Sequence, residues 1–309
     1  MKMKTFTNGM IRNELLLIAL IVALACPTIA AQHYVGAMID GGAAWHLYRE
    51  DNITLNHNSL AKPKIGASGS IGGVYQFQHN EFLLQTGLSL SEVWVRQMVD
   101  TMFIKNAMQD SEGYDFTYCG EVYDRVDYAL LTELDVPLLL GAQVGSFHVL
   151  AGVKCAVTVY GISVQEALLT THGDYGDRYY GVLENMPQHG FFEARELAAR
   201  DSLMFRPDIR LCLELGWTCA LTKSYTKKRS PKLQLGAYLE YGVGNPLSLS
   251  KNTDAYFGAS YYPDMNVNLN PIGSALSREY SALNNLRVGI RATVLFPMKA
   301  KSTIGKRKY

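Results

Sequence analysis

Nine charged residues fall at alternate positions of strongly patterned, extended stretches: Asp40, Glu133, Asp135, Lys154, Arg210, Glu214, Glu240, Arg287 and Arg291. Taken alone, Glu133, Asp135 and Lys154 have the side chains of general acid–base catalysis. Taken together, five acids stand against four bases, the balance that lets charges be buried in pairs. His46 and His148 lie on the same alternation, but no Ser or Asp stands at a spacing that assigns either one a nucleophile. Gly66-Ala67-Ser68-Gly69-Ser70 resembles a nucleophile elbow, yet it fails at its last position and lies within a strand pattern. HExxH, the P-loop and paired CxxC are absent. His172, Asp174 and Asp177 have cation-ligating side chains, but their spacing matches no Ca²⁺ loop. The five cysteines follow neither a zinc spacing nor a disulfide framework. Cys155 and Cys219 fall on apolar faces and read as small apolar side chains. No catalytic residue, metal or cofactor is expected from these patterns.

The elements that carry the charges are strands. In Leu130–Tyr160, Leu130, Thr132, Leu134, Val136, Leu138 and Leu140 occupy every second position. A tight turn follows at Gln143–Ser146, and Phe147, Val149, Ala151, Val153, Cys155, Val157 and Val159 repeat the pattern. Successive side chains of a strand point to opposite faces. One face of this hairpin is therefore apolar and the other small, polar or charged. The same pattern gives strands at Tyr34–Tyr48, Lys64–Gln78, Phe82–Arg96, Arg206–Leu221, Lys232–Leu247 and Asn285–Phe296, eight in all. Connections after the second, fourth and sixth strands are short, apart from a basic stretch at Thr222–Pro231; the others are long. This predicts an all-β fold: an eight-stranded antiparallel up-and-down transmembrane β-barrel with four long external loops at one end. Aromatic residues at strand ends (Trp45, Tyr75, Phe77, Phe82, Trp94, Phe147, Trp217, Phe296) fit two interfacial girdles. A soluble sandwich or lipocalin-like barrel shares the alternation but turns its apolar side inward, against the charges found here.

The ends of the chain agree with export. Lys2, Lys4 and Arg12 precede the apolar run Leu15–Cys26, and small residues follow at Thr28–Ala31. Residues 1–31 therefore read as a secretory signal cleaved after Ala30 or Ala31. A retained anchor would need a longer run, and a lipoprotein site at Cys26 lacks Leu three positions before it. Residues 32–297 form the barrel domain, and 298–309 a basic tail. The tail, with Lys223, Lys227, Lys228, Arg229 and Lys232 of the third turn, is expected to touch anionic headgroups of the inner leaflet. Net charge is +1, so composition offers no electrostatic reason to bind nucleic acid.

Four segments carry a family resemblance. They are Leu134-Asp135-Val136-Pro137-Leu138-Leu139-Leu140-Gly141, Asn185-Met186-Pro187-Gln188-His189-Gly190-Phe191, Leu213-Glu214-Leu215-Gly216-Trp217 and the closing Val288–Phe296. On these the chain resembles the small outer-membrane β-barrels of Bacteroidetes-type bacteria, the OmpA-like or PorT-like barrels. The resemblance implies insertion into the outer membrane through the barrel assembly machinery. The thirteen residues after Phe296 depart from it, since many such barrels end on an aromatic residue, and no peptidoglycan-binding domain follows.

Eight strands leave an interior just wide enough for side chains. The nine inward charges are therefore expected to pack as a satisfied polar core, with Glu133 and Asp135 paired to some of Lys154, Arg210, Arg287 and Arg291. Function is expected at the loops, which a rigid scaffold presents. The third long connection is acidic and contains Tyr175, Tyr179 and Tyr180; the fourth long connection adds Tyr256, Tyr261 and Tyr262. Phe192–Met204 has Glu196 four residues before Arg200 and reads as a short helix. The expected role is a structural or partner-binding surface protein, with a glycan or protein at the loops and outer-membrane lipid around the belt. The alternatives are a barrel enzyme acting on lipid and an accessory subunit of a secretion or uptake complex.

Overall fold

The computed structural model describes residues 31–50, 61–99, 101–110, 112–176, 181–221, 230–247, 260–261, 267–268 and 280–298. In chain order the strands are β1 (Gln32–Glu50), β2 (Ala61–His79), β3 (Phe82–Val99), β4 (Met102–Gln109), β5 (Asp115–Val144), β6 (Phe147–Asp174) and β7 (Val182–Glu184). They continue with β8 (Arg195–Ser202), β9 (Asp208–Ala220), β10 (Lys232–Gly242), β11 (Ser260–Tyr261), β12 (Val267–Asn268) and β13 (Tyr280–Pro297). One 3₁₀ turn spans Pro187–His189.

Eight of these strands close a ring in the order β1-β2-β3-β5-β6-β9-β10-β13, and β13 pairs back onto β1. Every pairing in the ring is antiparallel. The eight strands are those that the alternation predicts. The short turns are built from residues that accept left-handed backbone. Gly145 (φ 62) and Ser146 join β5 to β6, and Asn80 (φ 52) and Glu81 join β2 to β3. The turn after β5 is therefore two residues, tighter than Gln143–Ser146.

The outward face is apolar, with Ile290, 73% exposed, at its extreme. Val35, Ile39, Ile71, Leu88, Leu134, Leu140, Leu211 and Leu239 belong to the same belt. Phe82, Phe147, Trp217 and Phe296 ring its short-turn end, and Trp94 and Tyr241 stand at the other. Inside, charged side chains fill the middle. Tyr34, Met38, Val74 and Leu295, and separately Leu83, Leu139 and Leu150, fill the short-turn end.

Two departures from the sequence reading concern the long connections. β5 has 30 residues and β6 has 28, so the hairpin runs well past Leu130 and Tyr160. Period-2 alternation persists in the overhang, but its sense inverts. Phe116, Tyr118, Val122, Ala167 and Leu169 now face the packed side, while Asp115, Glu121, Glu166 and Asp174 are exposed. β4 pairs with the β5 overhang from Asp115 to Val122, so part of the long connection expected after the third strand is sheet.

The expected helix at Phe192–Met204 is instead β8. The cause is backbone accounting. β9 pairs with β6 only from Phe147 to Ala156, and β8 takes the next stretch, Ile162 to Leu169. A segment beside a long, half-paired strand satisfies that strand's N–H and C=O groups by extending. Glu196 and Arg200 lie on one face of a strand as they would on one face of a helix. Their spacing therefore could not separate the two conformations.

Candidate functional site

All nine inward charges meet in one network inside the barrel. Arg210 lies between β6 and β10, and its guanidinium forks onto Glu133: Nη1 donates to Oε2 at 2.9 Å and Nη2 to Oε1 at 2.8 Å. Arg287 donates to the same Glu133 Oε2. Lys154 Nζ donates to Glu240 Oε1 and lies 3.5 Å from Asp135 Oδ2. Arg210 Nη1 approaches Asp135 Oδ1 at 3.9 Å, which links the two halves. Arg291 is the hub of the other half. Its Nε and Nη2 donate to Asp40 Oδ2 at 3.0 and 2.8 Å, its Nη1 to Glu214 Oε2 at 2.9 Å, and its Nη2 also to Glu240 Oε1 at 3.1 Å. Its face lies 4.8 Å from the Tyr238 ring.

Strand register explains these meetings. Asp40 is directly opposite Arg291, Glu240 opposite Arg287, and Lys154 opposite Arg210. Opposed residues point to the same face. The Lys154–Arg210 pair would repel by itself, and Glu133, Asp135 and Glu240 sit between and around the two cations.

The structure adds members that sequence reasoning missed. Asp208 accepts from Arg210 Nε at 2.9 Å and from Asn285 Nδ2 at 2.8 Å. It stands at the mouth-side end of β9, where the alternation no longer distinguished inside from outside. Ser91 donates to Asp135 Oδ2 at 2.5 Å. Asp127, buried above the network, accepts from Gln165 at 2.8 Å.

His148 completes a line that spacing could not reveal. Thr218 Oγ1 lies 2.9 Å from Nδ1, and Glu214 Oε1 lies 3.3 Å from Nε2. These are the parts of a nucleophile, base and orienting group. However, Thr218 is 5% exposed and His148 is fully buried. The ring also rests on Gly216, where a Cβ would come within 2.5 Å of it. Packed this way, the line orients side chains and leaves no place for a reacting group. His46 lies edge-on to Phe205 at 5.8 Å, near the opposite end of the barrel. Ser68 and Ser70 lie in the extended β2 backbone, so no nucleophile elbow forms at Gly66–Ser70.

Above the network an apolar cluster closes the interior. Leu203, Phe205 and Leu247 fold in from the connections and meet Ala44, Val93, Val95, Leu131 and Leu283. Arg206 N donates to Pro246 O at 2.8 Å and Leu203 N to Gly161 O at 2.9 Å, which ties these segments to each other and to β6.

The projecting sheet of β4, β5, β6 and β7 has its own core. Phe191 packs against Phe116, Tyr118 and Gly173. Tyr118 Oη and Thr171 Oγ1 both donate to Gly190 O. Tyr175 stacks on Phe116, with ring centroids 4.8 Å apart. Of the other expected loop tyrosines, Tyr179, Tyr180, Tyr256 and Tyr262 lie outside the described residues, and Tyr261 lies in the short strand β11. Asp177 also lies outside them. His172 and Asp174 are on β6, and Asp174 Oδ1 caps the turn by accepting from Gly176 N at 3.0 Å.

On the open face of this sheet, register sets Lys105, Cys119, His172 and Glu184 side by side across four strands. Cys119 lies within β5. Burial raises its thiol pKa above the usual value. Among the described residues, no group of three or more His, Cys, Asp and Glu side chains is placed to hold a metal.

The basic tail and Lys223, Lys227, Lys228 and Arg229 lie outside the described residues. Lys232 does not extend to the surroundings as expected. Its ammonium donates to Gln78 Oε1 at 2.6 Å and sits 4.5 Å from the Tyr34 ring, turned into the barrel.

No family model matches the chain, and no curated protein matches it. Among solved structures it is similar to Ail, the attachment invasion locus protein of Yersinia pestis, in complex with the heparin analogue sucrose octasulfate. The two are 9% identical, the match covers 86% of this chain and 99% of that one, and the TM-score is 0.26. At that level the fold assignment stands on the closed ring of strands itself.

Proposed function

We propose that the chain is an outer-membrane β-barrel without a pore, which holds a projecting β-sheet away from the membrane as a binding surface. The observation that carries this reading is the inversion of sidedness along β5 and β6. From Phe147 to Val159 and from Leu130 to Leu140 the exposed face is apolar and the middle of the buried face charged; polar side chains stay buried as far as Arg125 and Gln165, and beyond those the arrangement reverses. An outward apolar face over an ionic interior suits lipid, and an apolar interior under a polar face suits water. On β3 the belt runs from Phe82 to Trp94. The twelve steps between them at about 3.3 Å each, tilted by about 40°, rise about 30 Å, close to the hydrocarbon thickness of a bilayer.

The ionic network and the apolar cluster fill the interior, so the barrel acts as scaffold and not as channel. The β5–β6 overhang continues for roughly 45 Å of strand beyond Ala129. Rigid strands here replace flexible loops as the support for the acidic, tyrosine-bearing surface, whose partner is a protein or a glycan. The reading takes residues 1–31 as a cleaved secretory signal and the chain as one of the small barrels that its strand motifs resemble. It assigns no enzyme activity: the one hydroxyl–imidazole–carboxylate line described above is sealed inside.

The direct test is gel migration of the outer-membrane fraction with and without boiling. A folded barrel migrates faster unboiled, and recovery of the protein as a soluble periplasmic species refutes the reading. Cross-linking from probes on β4 and β7 then identifies the partner. Unchanged lipid composition in a deletion strain is the expected result for a non-enzyme.

A further inference from the structure

The apolar belt ends at Trp94 on β3, and the outward side chains around it change character together. Trp94 stacks on Tyr128 of β5, with centroids 6.2 Å apart and planes at 24°. Arg96 holds its guanidinium 5.7 Å from the Tyr128 ring centre. Lys64 of β2 is the cross-strand partner of Arg96. Two like charges directly opposite on one face destabilise a strand pair, and an anion between them removes that cost. Just below Trp94, Glu92 is exposed on the outward face between Leu90 and Trp94, where it accepts from Thr132 Oγ1 at 2.7 Å. A carboxylate at that height, four residues along β3 from Arg96, is an acceptor facing lipid.

The surface beside Glu92 is bare. Glu92 is opposite Gly69 of β2, and Gly69 is opposite Gly41 of β1. A Cβ at Gly41 or Gly69 would meet nothing closer than 3.8 or 3.5 Å, so crowding within the barrel does not require glycine at either position. Glycine inside a strand weakens it, and one reason it occurs is close approach of another molecule.

We infer that this face binds the headgroup of a phosphorylated glycolipid in the outer leaflet. Lys64 and Arg96 hold a phosphate, Glu92 accepts a hydroxyl or amide N–H of the sugar, Trp94 and Tyr128 flank the ring, and the Gly69–Gly41 surface admits the first part of an acyl chain. The inference rests on the outer-membrane reading above.

The test uses the full folded chain in neutral detergent, with Trp45→Phe and Trp217→Phe so that Trp94 alone reports. Diphosphoryl lipid A is titrated against its dephosphorylated form, phosphatidylglycerol and inorganic phosphate. Saturable change with diphosphoryl lipid A is expected. Lys64→Gln with Arg96→Gln should weaken it at least tenfold, and Glu92→Gln should weaken it while leaving phosphatidylglycerol unchanged. If the double variant does not fold, Lys64→Gln alone is used, with a several-fold loss expected. Equal affinity in wild type and variants overturns the inference. So does phosphatidylglycerol binding as tightly as lipid A, which marks a general anionic-lipid surface, or inorganic phosphate saturating the site at millimolar concentration, which marks a phosphate site without lipid. Unboiled gel migration of the same sample separates these results from failure of the barrel reading itself.

Discussion

Replacing Arg291 with Met removes the hub of the ionic network without emptying its volume. Asp40 then loses both hydrogen bonds that Arg291 supplies, while Glu214 keeps His148 and Glu240 keeps Lys154. One buried carboxylate is left uncompensated and two are weakened. Removing one partner of a buried ion pair costs about 3–5 kcal/mol. With a urea slope of about 2 kcal/mol per molar, a loss of about 4 kcal/mol lowers the unfolding midpoint by about 2 M. The assay is urea titration of the barrel folded into lipid vesicles, read by Trp fluorescence and by unboiled gel migration. Asp40→Asn in the Arg291→Met background removes the stranded charge and should recover about half of the loss, about 2 kcal/mol. Ile290→Ala, next in sequence but facing outward, serves as the control and keeps the burial network intact. A midpoint shift under about 0.5 M for Arg291→Met, or no recovery with Asp40→Asn, refutes the claim that the interior charges hold one another.

Other perturbations probe the remaining layers. Leu134→Arg, on the outward belt, should cost about 2–4 kcal/mol in vesicles, whereas Thr117→Arg on the open face of the projecting sheet should cost under about 0.5 kcal/mol; equal costs would contradict the assigned boundary. Gly36→Val should abolish the fast-migrating form, because a Cβ at Gly36 would lie 1.9 Å from Val294 O where β1 and β13 close the ring. Phe191→Ala should expose residues 186–194 to proteolysis and cost about 3–5 kcal/mol locally, while unboiled migration stays normal. In a variant whose other cysteines are replaced by Ser, Cys119 should be labelled on intact cells by an impermeant maleimide, slowly at neutral pH and faster as pH rises, because its raised pKa leaves little thiolate near pH 7. Cys219, near the short-turn end of β9, should stay unlabelled from outside.

The barrel was legible because lipid outside and a narrow interior both demand alternation, and each ring strand shows it over many residues. Asp40, Glu133, Asp135 and Arg291 could be placed inward from period alone. Their partners could not. Whether Arg210 meets Glu133 or Asp135 depends on register across β5, β6 and β9, and a one-residue slip changes every opposition. Asp208 and the Thr218–His148–Glu214 line were hidden for the same reason. The projecting sheet was missed for a different one. Phe116, Tyr118 and Val122 alternate as cleanly as Leu134, Val136 and Leu138, but their outward companions Asp115, Thr117 and Glu121 look like loop residues when apolar is taken to mean outside. β8 was read as a helix because the open edge of β6, which decides its conformation, is more than twenty residues away in sequence.

The ionic interior also bears on how such a chain reaches a membrane. A strand apolar on both faces would approach the hydropathy of a spanning helix and would aggregate on its edges before closing. Here every stretch of the outward belt is interleaved with inward polar residues, and the whole chain has a mean hydropathy of -0.02. One opposed pair closes the ring: Asp40 with Arg291 joins the first strand to the last, whereas Glu133, which Arg287 reaches across the interior from β13, is also forked by Arg210 of β9. Asp40 therefore lacks Arg291 until β13 is in place, while Glu133 keeps Arg210 without β13. The Asp40–Arg291 contact therefore stabilises only the closed ring, so an unclosed form keeps the Asp40 charge in water. Partial sheets lacking β13 should for that reason remain soluble longer than the same sheets in which Asp40 is replaced by Leu. Light scattering of chains truncated before Tyr280 measures this, and equal aggregation rates would rule out a role for the unpaired Asp40 charge before closure.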